Sequence, residues 1–150
     1  MRILLLLLLL VLSFNSQAFE LGVSFKSHHA HANHTGKNRN ESNYGVYGIY
    51  KYFQAGTFIN TYSDRVYFGG LTYKGREPNW NIGPVKFYVR FGVGIMYGYG
   101  REGIYPVAAD GHPQFVPYIT PSLSFEYKNI NINTHFIDGN LAWSISYNIK

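Results

Sequence analysis

The chain has 150 residues, no cysteine and a formal net charge of +5 at neutral pH. This length allows a single domain, and the lack of cysteine excludes a disulfide-stapled fold, a thiolate metal site and a cysteine nucleophile. The excess of basic residues favours an anionic partner. Because no nucleic-acid-binding motif accompanies that charge, we expect lipid phosphate rather than nucleic acid.

Residues 1–18 have the pattern of a secretory signal peptide. Arg2 supplies a basic start, residues 3–12 form an apolar run, and residues 16–18 provide a small-residue cleavage site. The run is too short for a membrane-spanning helix, which needs about twenty residues. We therefore predict export, cleavage after the leader, and one domain over residues 19–150.

The mature chain contains eight segments that alternate apolar and polar residues as half-buried strands do. The third of them follows a tight connection that we expect at residues 53–56. In chain order, the predicted strands cover residues 21–27, 44–52, 57–61, 66–73, 85–99, 115–127, 129–136 and 142–149.

The segment Val85–Tyr99 is the clearest of these strands. One set of alternate residues is apolar throughout, and the other set carries Lys86, Arg90 and glycines. A strand of this length is unusual in a soluble sheet but suits a tilted strand that crosses a membrane. Because only a closed barrel pairs every strand backbone group in lipid, we predict an all-β, eight-stranded antiparallel up-and-down transmembrane β-barrel in the bacterial outer membrane, expected to be a monomer.

The connections between strands differ in length. Residues 28–43 and 100–113 form long connections, which bacterial barrels place on the outer side. Residues 74–84 are long for a turn on the other side. Pro117 and Pro121 interrupt the sixth strand, and because strand prolines belong at edges or bulges, we expect that strand to be bent or locally open.

Several polar residues follow the first and third strands. His28 and His29, with two further histidines, end the first strand, and Asn60 and Thr61 end the third. Counting strands places both ends at one outer rim, where a histidine and a hydroxyl form a base and nucleophile pair. The histidines lack a nearby carboxylate or cysteine at ligand spacing, so we assign no metal and no cofactor.

Short motifs in this region resemble those of a known family. Residues 58–70 (FINTYSDRVYFGG) are similar to the segment around the active site of the PagP-type lipid A palmitoyltransferases, which are eight-stranded outer-membrane barrels. Asn40-Glu41 before Tyr44-Gly45 resembles the same family, and Ser27-His28-His29 matches its hydroxyl residue, spacer and catalytic histidine. A set of shorter-looped barrels from phages and bacteria is similar as well.

The resemblance implies transfer of an acyl chain from a membrane phospholipid to lipid A. It assigns catalytic roles to His29, Asn60 and Thr61, where the family has histidine, aspartate and serine. Thr61 keeps the hydroxyl, but Asn60 carries no charge, and Asp64 is a candidate substitute. Alternation along the first strand instead favours His28, which would share the inner face with Lys26.

The acyltransferase hypothesis also predicts where the substrates bind. We expect Lys37, Arg39 and Arg101 to hold the phosphates of lipid A. Thr72 stands where the family has the small glycine against which its acyl chain ends. If Thr72 points inward, its side chain occupies space that the glycine leaves free, which favours a shorter acyl chain.

Two other functions fit the same barrel. One is a small, non-catalytic outer-membrane protein that binds or remodels the cell surface. The other is a lipid A deacylase, which removes an acyl chain instead of adding one.

Overall fold

The computed structural model describes residues 19–29, 42–60, 63–75, 78–99, 114–137 and 140–149. These ranges contain nine strands: β1 (Phe19–His29), β2 (Gly45–Tyr50), β3 (Phe53–Ile59), β4 (Arg65–Lys74), β5 (Trp80–Ile82), β6 (Val85–Tyr99), β7 (Gln114–Tyr127), β8 (Ile130–Ile137) and β9 (Asn140–Ile149). Within the same ranges, no helix is long and apolar enough to cross a membrane.

Eight of the strands close into an antiparallel barrel. β1 to β4 pair in sequence, as do β6 to β9, while β4–β6 and β9–β1 pairing completes the ring. The fifth predicted strand is found with the bounds Val85–Tyr99. The prediction of an all-β, eight-stranded up-and-down barrel is therefore confirmed.

The remaining strand, β5, is short and is not one of the eight strands that form the ring. It pairs with the start of β6 through a two-residue turn, in which Gly83 has a φ of 57°. A positive φ is a conformation that glycine adopts without steric cost. Part of the connection over residues 74–84 is therefore a strand. It pairs with the first residues of β6, which extend beyond the end of β4.

One predicted turn is misplaced. We expected a tight connection at residues 53–56, but β3 begins at Phe53 and the turn is formed by Lys51 and Tyr52. Lys51 has a φ of 56°. A lysine gives no sequence signal for this conformation, which glycine, asparagine and aspartate adopt more often, so the turn was assigned to the wrong residues.

The strand alternation separates two chemically different faces. The outer face is apolar along all of the long strands, and the inner face is largely polar. Outward-facing residues with large exposed side chains include Leu21, Val23, Phe91, Val93, Ile95, Ile119, Ile132, Ile145 and Tyr147. Inward-facing buried residues include Glu20, Thr72, Arg90, Ser124, Asn131, Asn133, Ser144 and Ser146.

A β-bulge changes the alternation of β1. Pairing with β9 shifts between Ser24 and Lys26, so that Phe25 is an extra residue. A bulge places two residues opposite one and reverses the faces of the residues that follow. Ser27 is consequently buried, while Lys26 and His28 are exposed. The expectation that Lys26 and His28 share the inner face is wrong for this reason.

The barrel has two unlike ends. We call the end that carries His29, Asn60 and Ile137 the loop rim, because the segments missing from the described ranges at 30–41 and 100–113 join strands there. The opposite end is the turn rim, where β2–β3 and β7–β8 are joined by two-residue turns. Residues 28–43 and 100–113 thus join strands at one end, and residues 74–84 join β4 to β6 at the other, as strand counting predicted.

Polar side chains fill the lumen toward the turn rim. Arg90 of β6 donates from Nη1 and Nη2 to the two carboxylate oxygens of Glu20 on β1, at 3.0 and 2.6 Å. Three strands separate β1 from β6 on either side of the ring, so the ion pair crosses the barrel. Ser146 also donates to Glu20, at 2.6 Å. This contact links the pair to β9.

Candidate functional site

A cavity occupies the part of the lumen between this ion pair and the loop rim. Its volume is about 140 Å³. The lining extends from Thr72 and Arg90 in the middle of the barrel to Ser27, Asn43 and Asn140 at the loop rim. The cavity is thus a recess that begins at the rim where we expected the candidate catalytic residues.

The side of the cavity formed by β3, β4, β6 and β7 is apolar. Phe58, Phe68, Met96 and Tyr118 line it and pack around buried Val66. The ring centroids of Phe68 and Tyr118 lie 6.1 Å apart in an edge-to-face arrangement, which aromatic pairs favour. This wall gives the upper lumen a surface that accepts hydrocarbon.

Tyr118 reaches across the barrel because two glycines leave room for its ring. A Cβ atom on Gly94 would lie 2.7 Å from the ring of Tyr118, and one on Gly70 would lie 2.9 Å from its hydroxyl. The same hydroxyl accepts a hydrogen bond of 2.8 Å from Nε2 of Gln54. The glycines of β4 and β6 therefore determine the shape of the cavity wall.

The floor of the cavity is polar. His135 is bonded through Nδ1 to the Ser122 hydroxyl and through Nε2 to the Ser144 hydroxyl, each at 2.9 Å. Ser144 is also 2.9 Å from the hydroxyl of Tyr47, and Asn133 donates to Tyr47 at 3.1 Å. A buried polar network of this kind is rigid when its members are satisfied, so the floor is a fixed surface.

The predicted catalytic histidine and asparagine lie at the same rim. His29 is the last residue of β1, and its backbone pairs with Asn140. Ser27 and Phe58 line the cavity, so His29 and Asn60 each lie two residues beyond a lining residue of their own segment.

Asn60 closes the loop between β3 and β4. Its Oδ1 accepts the N–H of Asp64 at 2.9 Å, its own N–H donates to the carbonyl of Asp64 at 2.8 Å, and Ser63 donates to its carbonyl at 3.0 Å. The side chain is fully buried. Asn60 thus joins the end of β3 to the start of β4, and Asp64 belongs to the same loop.

We expect Asn60→Ala to destabilise the protein and Asn60→Asp to be tolerated better. Alanine leaves the half-buried N–H of Asp64 without its acceptor, which costs about 1–3 kcal/mol, whereas aspartate retains an acceptor oxygen. Urea unfolding of refolded protein measures the difference. Equal stability of the alanine variant and the parent would show that this loop contact is unimportant.

The remaining predicted site residues divide into two groups. Thr72 is buried and lines the cavity beside Gly92, its partner across β4 and β6, so its inward direction is as the chain-length hypothesis requires. Thr61 and the three basic residues expected to hold phosphates lie outside the described residues, as does most of the histidine-rich segment. The basic residues are Lys37, Arg39 and Arg101.

The barrel wall is incompletely paired next to the cavity. β7 pairs with β6 along its whole length, but its pairing with β8 covers only Ser122–Tyr127. Pro117 and Pro121 lie in the part of β7 before that pairing begins. The expectation that the prolines interrupt the ladder agrees with this register. In this register Ile137, the last residue of β8, stands opposite Thr120, so the earlier part of β7 extends beyond the end of β8. Tyr118 and Thr120 line the cavity in this part of β7.

Sequence reasoning did not single out the residues of the polar floor. Arg90, Ser122, His135 and Ser144 were noted only as members of polar alternate positions. The available signal was the charge of Arg90 in the middle of a strand. In the described ranges, no group of three or more histidine, aspartate or glutamate residues is arranged to hold a metal ion.

Comparison with known proteins adds no family assignment. A scan against protein-family models finds no match for this chain, and a search of curated proteins finds no significant match. The resemblance to the PagP-type enzymes therefore depends on the motifs at residues 27–29, 40–45 and 58–70, together with an eight-stranded barrel of the expected topology.

Proposed function

We propose that the protein is an outer-membrane barrel that moves an acyl chain from a phospholipid to lipid A. The observation that carries the proposal is the recess in the lumen, which has an apolar wall and begins at the rim where His29 and Asn60 lie. A base at this rim would act on an ester whose acyl chain enters the recess.

The outer surface supports a location within a membrane. Large apolar side chains are exposed on every strand of the ring. An extended apolar surface is typical of contact with lipid or with another apolar partner. The polar lumen and apolar exterior are the alternation of transmembrane barrels. With the leader pattern at residues 1–18, this favours export to the bacterial outer membrane.

The discontinuity between β7 and β8 supports access of lipid to the recess. An acyl chain in the membrane cannot pass between two fully hydrogen-bonded strands without breaking their ladder. Where β7 has no described pairing with β8, fewer such bonds oppose its entry. Tyr118 and Thr120, which line the recess, belong to this part of β7. A phospholipid chain could thus enter from the side while its ester stays near the loop rim.

The size of the recess favours a short acyl chain. An apolar cavity of roughly 150 Å³ holds a molecule the size of benzene, and this recess measures about 140 Å³. Thr72 and Arg90 bound it from below. We therefore expect a chain clearly shorter than palmitate, and a palmitate preference of the purified protein would contradict this expectation.

Thr72→Gly is expected to lengthen the preferred chain by about one or two methylene groups, because it removes side-chain volume from the floor. Competition between donor phospholipids of graded chain length, read by mass spectrometry, measures the preference. Thr134→Gly is the matched control, since Thr134 is a strand residue absent from the lining. If Thr72→Gly keeps the chain-length preference of the parent, Thr72 does not limit the length of the acyl chain that binds.

Lipid A mass spectrometry tests the reaction itself. Cells that express the protein are expected to contain lipid A that is heavier by one acyl chain than the lipid A of cells that lack it. The double variant His29→Ala with Thr61→Ala should abolish the addition. Lipid A of unchanged mass with folded protein would refute acyl transfer, and lipid A lighter by one acyl chain would show a deacylase.

A non-catalytic barrel is the second candidate function. It is favoured by the structural use of Asn60, whose Oδ1 is engaged by the loop backbone and whose amide carries no charge to stabilise a protonated histidine. In that case the protein would bind lipopolysaccharide without changing it. Binding that persists in the His29 and Thr61 double variant, with no lipid A product in the parent, would establish this function.

A further inference from the structure

Two lysines occupy matching positions at the turn rim. Lys51 is the first residue of the two-residue turn between β2 and β3, and Lys128 is the first residue of the turn between β7 and β8. Both have a positive φ, of 56° and 55°. Glycine and asparagine adopt this conformation with less strain, so neither turn needs a lysine for its backbone. The lysine side chain itself is therefore the better reason for its presence in both turns.

Each lysine extends over the tyrosine that precedes it in the chain. The Nζ atom of Lys51 is 5.4 Å from the ring centroid of Tyr50, and the Nζ atom of Lys128 is 5.4 Å from the ring centroid of Tyr127. A cation at this distance is attracted to an aromatic ring. Both tyrosines face the exterior, as does the exposed residue with which each is paired. The two ammonium groups are thus held at the outer surface of the barrel.

The positive charge of these turns is not balanced by a nearby carboxylate among the described residues. Glu20 and Glu126 are the described carboxylates in this half of the barrel, and Arg90 and Lys74 bind them in the lumen. No described aspartate or glutamate is exposed at the turn rim. The outer edge of this rim therefore attracts an anion from outside the barrel.

The surroundings of the two turns are apolar. Phe53, which pairs with Tyr50 across the first turn, is 64% exposed. Tyr147, whose hydroxyl accepts a hydrogen bond from Asn129 in the second turn, is 51% exposed. A water-soluble polyanion would leave these rings in water. A phospholipid supplies both a phosphate for the ammonium group and a hydrocarbon chain for the ring, and lysine stems commonly lie along apolar surface with the charge at the membrane interface.

We propose that the turns at Lys51 and Lys128 bind the head groups of anionic phospholipids in the membrane leaflet at the turn rim. The ammonium group pairs with a lipid phosphate that has no cationic group of its own to balance it. The lipid chain lies against the exposed ring beside the turn. This inference rests on the membrane location proposed above but not on acyl transfer, since neither lysine lines the recess.

Fluorescence quenching by brominated lipids tests each turn separately. Two proteins with a single tryptophan are made in the background Trp80→Phe with Trp143→Phe, which removes both native tryptophans. Phe53→Trp then reports on the β2–β3 turn, and Tyr147→Trp reports on the β7–β8 turn. Bromine on a lipid chain quenches a tryptophan that the chain contacts. In mixed vesicles we expect phosphatidylglycerol to compete with phosphatidylcholine about fivefold more strongly at each probe, the usual attraction of one lysine to an anionic membrane surface.

Each lysine variant is the control for the other. Lys128→Gln should remove the preference at the position 147 probe and leave it at the position 53 probe, and Lys51→Gln should do the reverse. Lys86→Gln should change neither preference. Lys86 is exposed at the same rim, but it belongs to the alternate set of β6 that contains the inward-facing Arg90. All three substitutions are at exposed positions, where folding tolerates a change of side chain.

Four results would count against the proposal. Equal quenching by the two lipids at both probes would refute head-group binding and leave the membrane location intact. A preference that survives the matching glutamine variant would refute the role of that lysine. Loss of the preference when inorganic phosphate is added at the lipid concentration would show a site for a free anion instead. No quenching by either lipid would refute the membrane location itself, and none of these results tests lipid A acylation, which the cell assay measures.

Discussion

Arg90→Leu is expected to lower the free energy of unfolding by about 3–5 kcal/mol, the usual cost of removing one partner of a buried ion pair. Glu20 would remain buried with its charge uncompensated, although the Ser146 hydroxyl would still donate to it. Urea unfolding of the barrel refolded in lipid vesicles measures the change. The double variant Glu20→Gln with Arg90→Leu should recover part of the loss, because it leaves no buried charge.

Lys86→Gln is the matched control for this prediction. Lys86 is on the same strand as Arg90 but is exposed, and surface substitutions usually change stability by no more than about 0.5 kcal/mol. If Arg90→Leu were as stable as Lys86→Gln, the ion pair across the lumen would not stabilise the barrel. If the double variant were less stable than Arg90→Leu, the lost free energy of unfolding would come from packing rather than from charge.

His29→Ala is expected to reduce the proposed acyl transfer by about 100-fold or more, which is the usual effect of losing a general base. The rate of lipid A acylation by purified protein in mixed vesicles measures it. The barrel itself should remain folded, because the backbone pairing of His29 with Asn140 does not require the imidazole. Detergent gel electrophoresis of unheated samples, in which a folded barrel stays folded, checks this.

His28→Ala provides the comparison that separates the two histidines. The bulge at Phe25 leaves His28 exposed on the outer face, so its loss should reduce the rate far less than the loss of His29. A larger effect at His28 would favour the original alternation argument over the family motif. If both variants reduced the acylation rate only slightly, neither His28 nor His29 would be catalytic, which would support the non-catalytic function.

The strands of this barrel were predictable wherever side-chain alternation is uninterrupted. Val85–Tyr99 was identified with its observed bounds, because every second residue faces the apolar exterior and a strand has only two faces. The turn at Lys51 was not identified, since lysine carries no turn signal. The bulge in β1 was missed because an extra residue leaves no mark in the sequence until the partner strand is known.

The candidate site was predictable only in outline. Counting strands was enough to place His29 and Asn60 at one rim, because antiparallel neighbours end at alternate ends of a barrel. It gave no indication that Asn60 closes its own loop, or that His135 lies between two serines. Those contacts depend on which side chains meet across the lumen, and that is determined by register.

The sequence by itself determined an all-β chain with eight long strands, one apolar face and one polar face, because these properties depend on residues that are neighbours along the chain. The tertiary structure alone decided the Glu20–Arg90 pair, the recess beneath Tyr118 and the outward direction of His28. Glu20 and Arg90 are 70 residues apart, and only closure of the ring brings opposite strands within hydrogen-bonding distance.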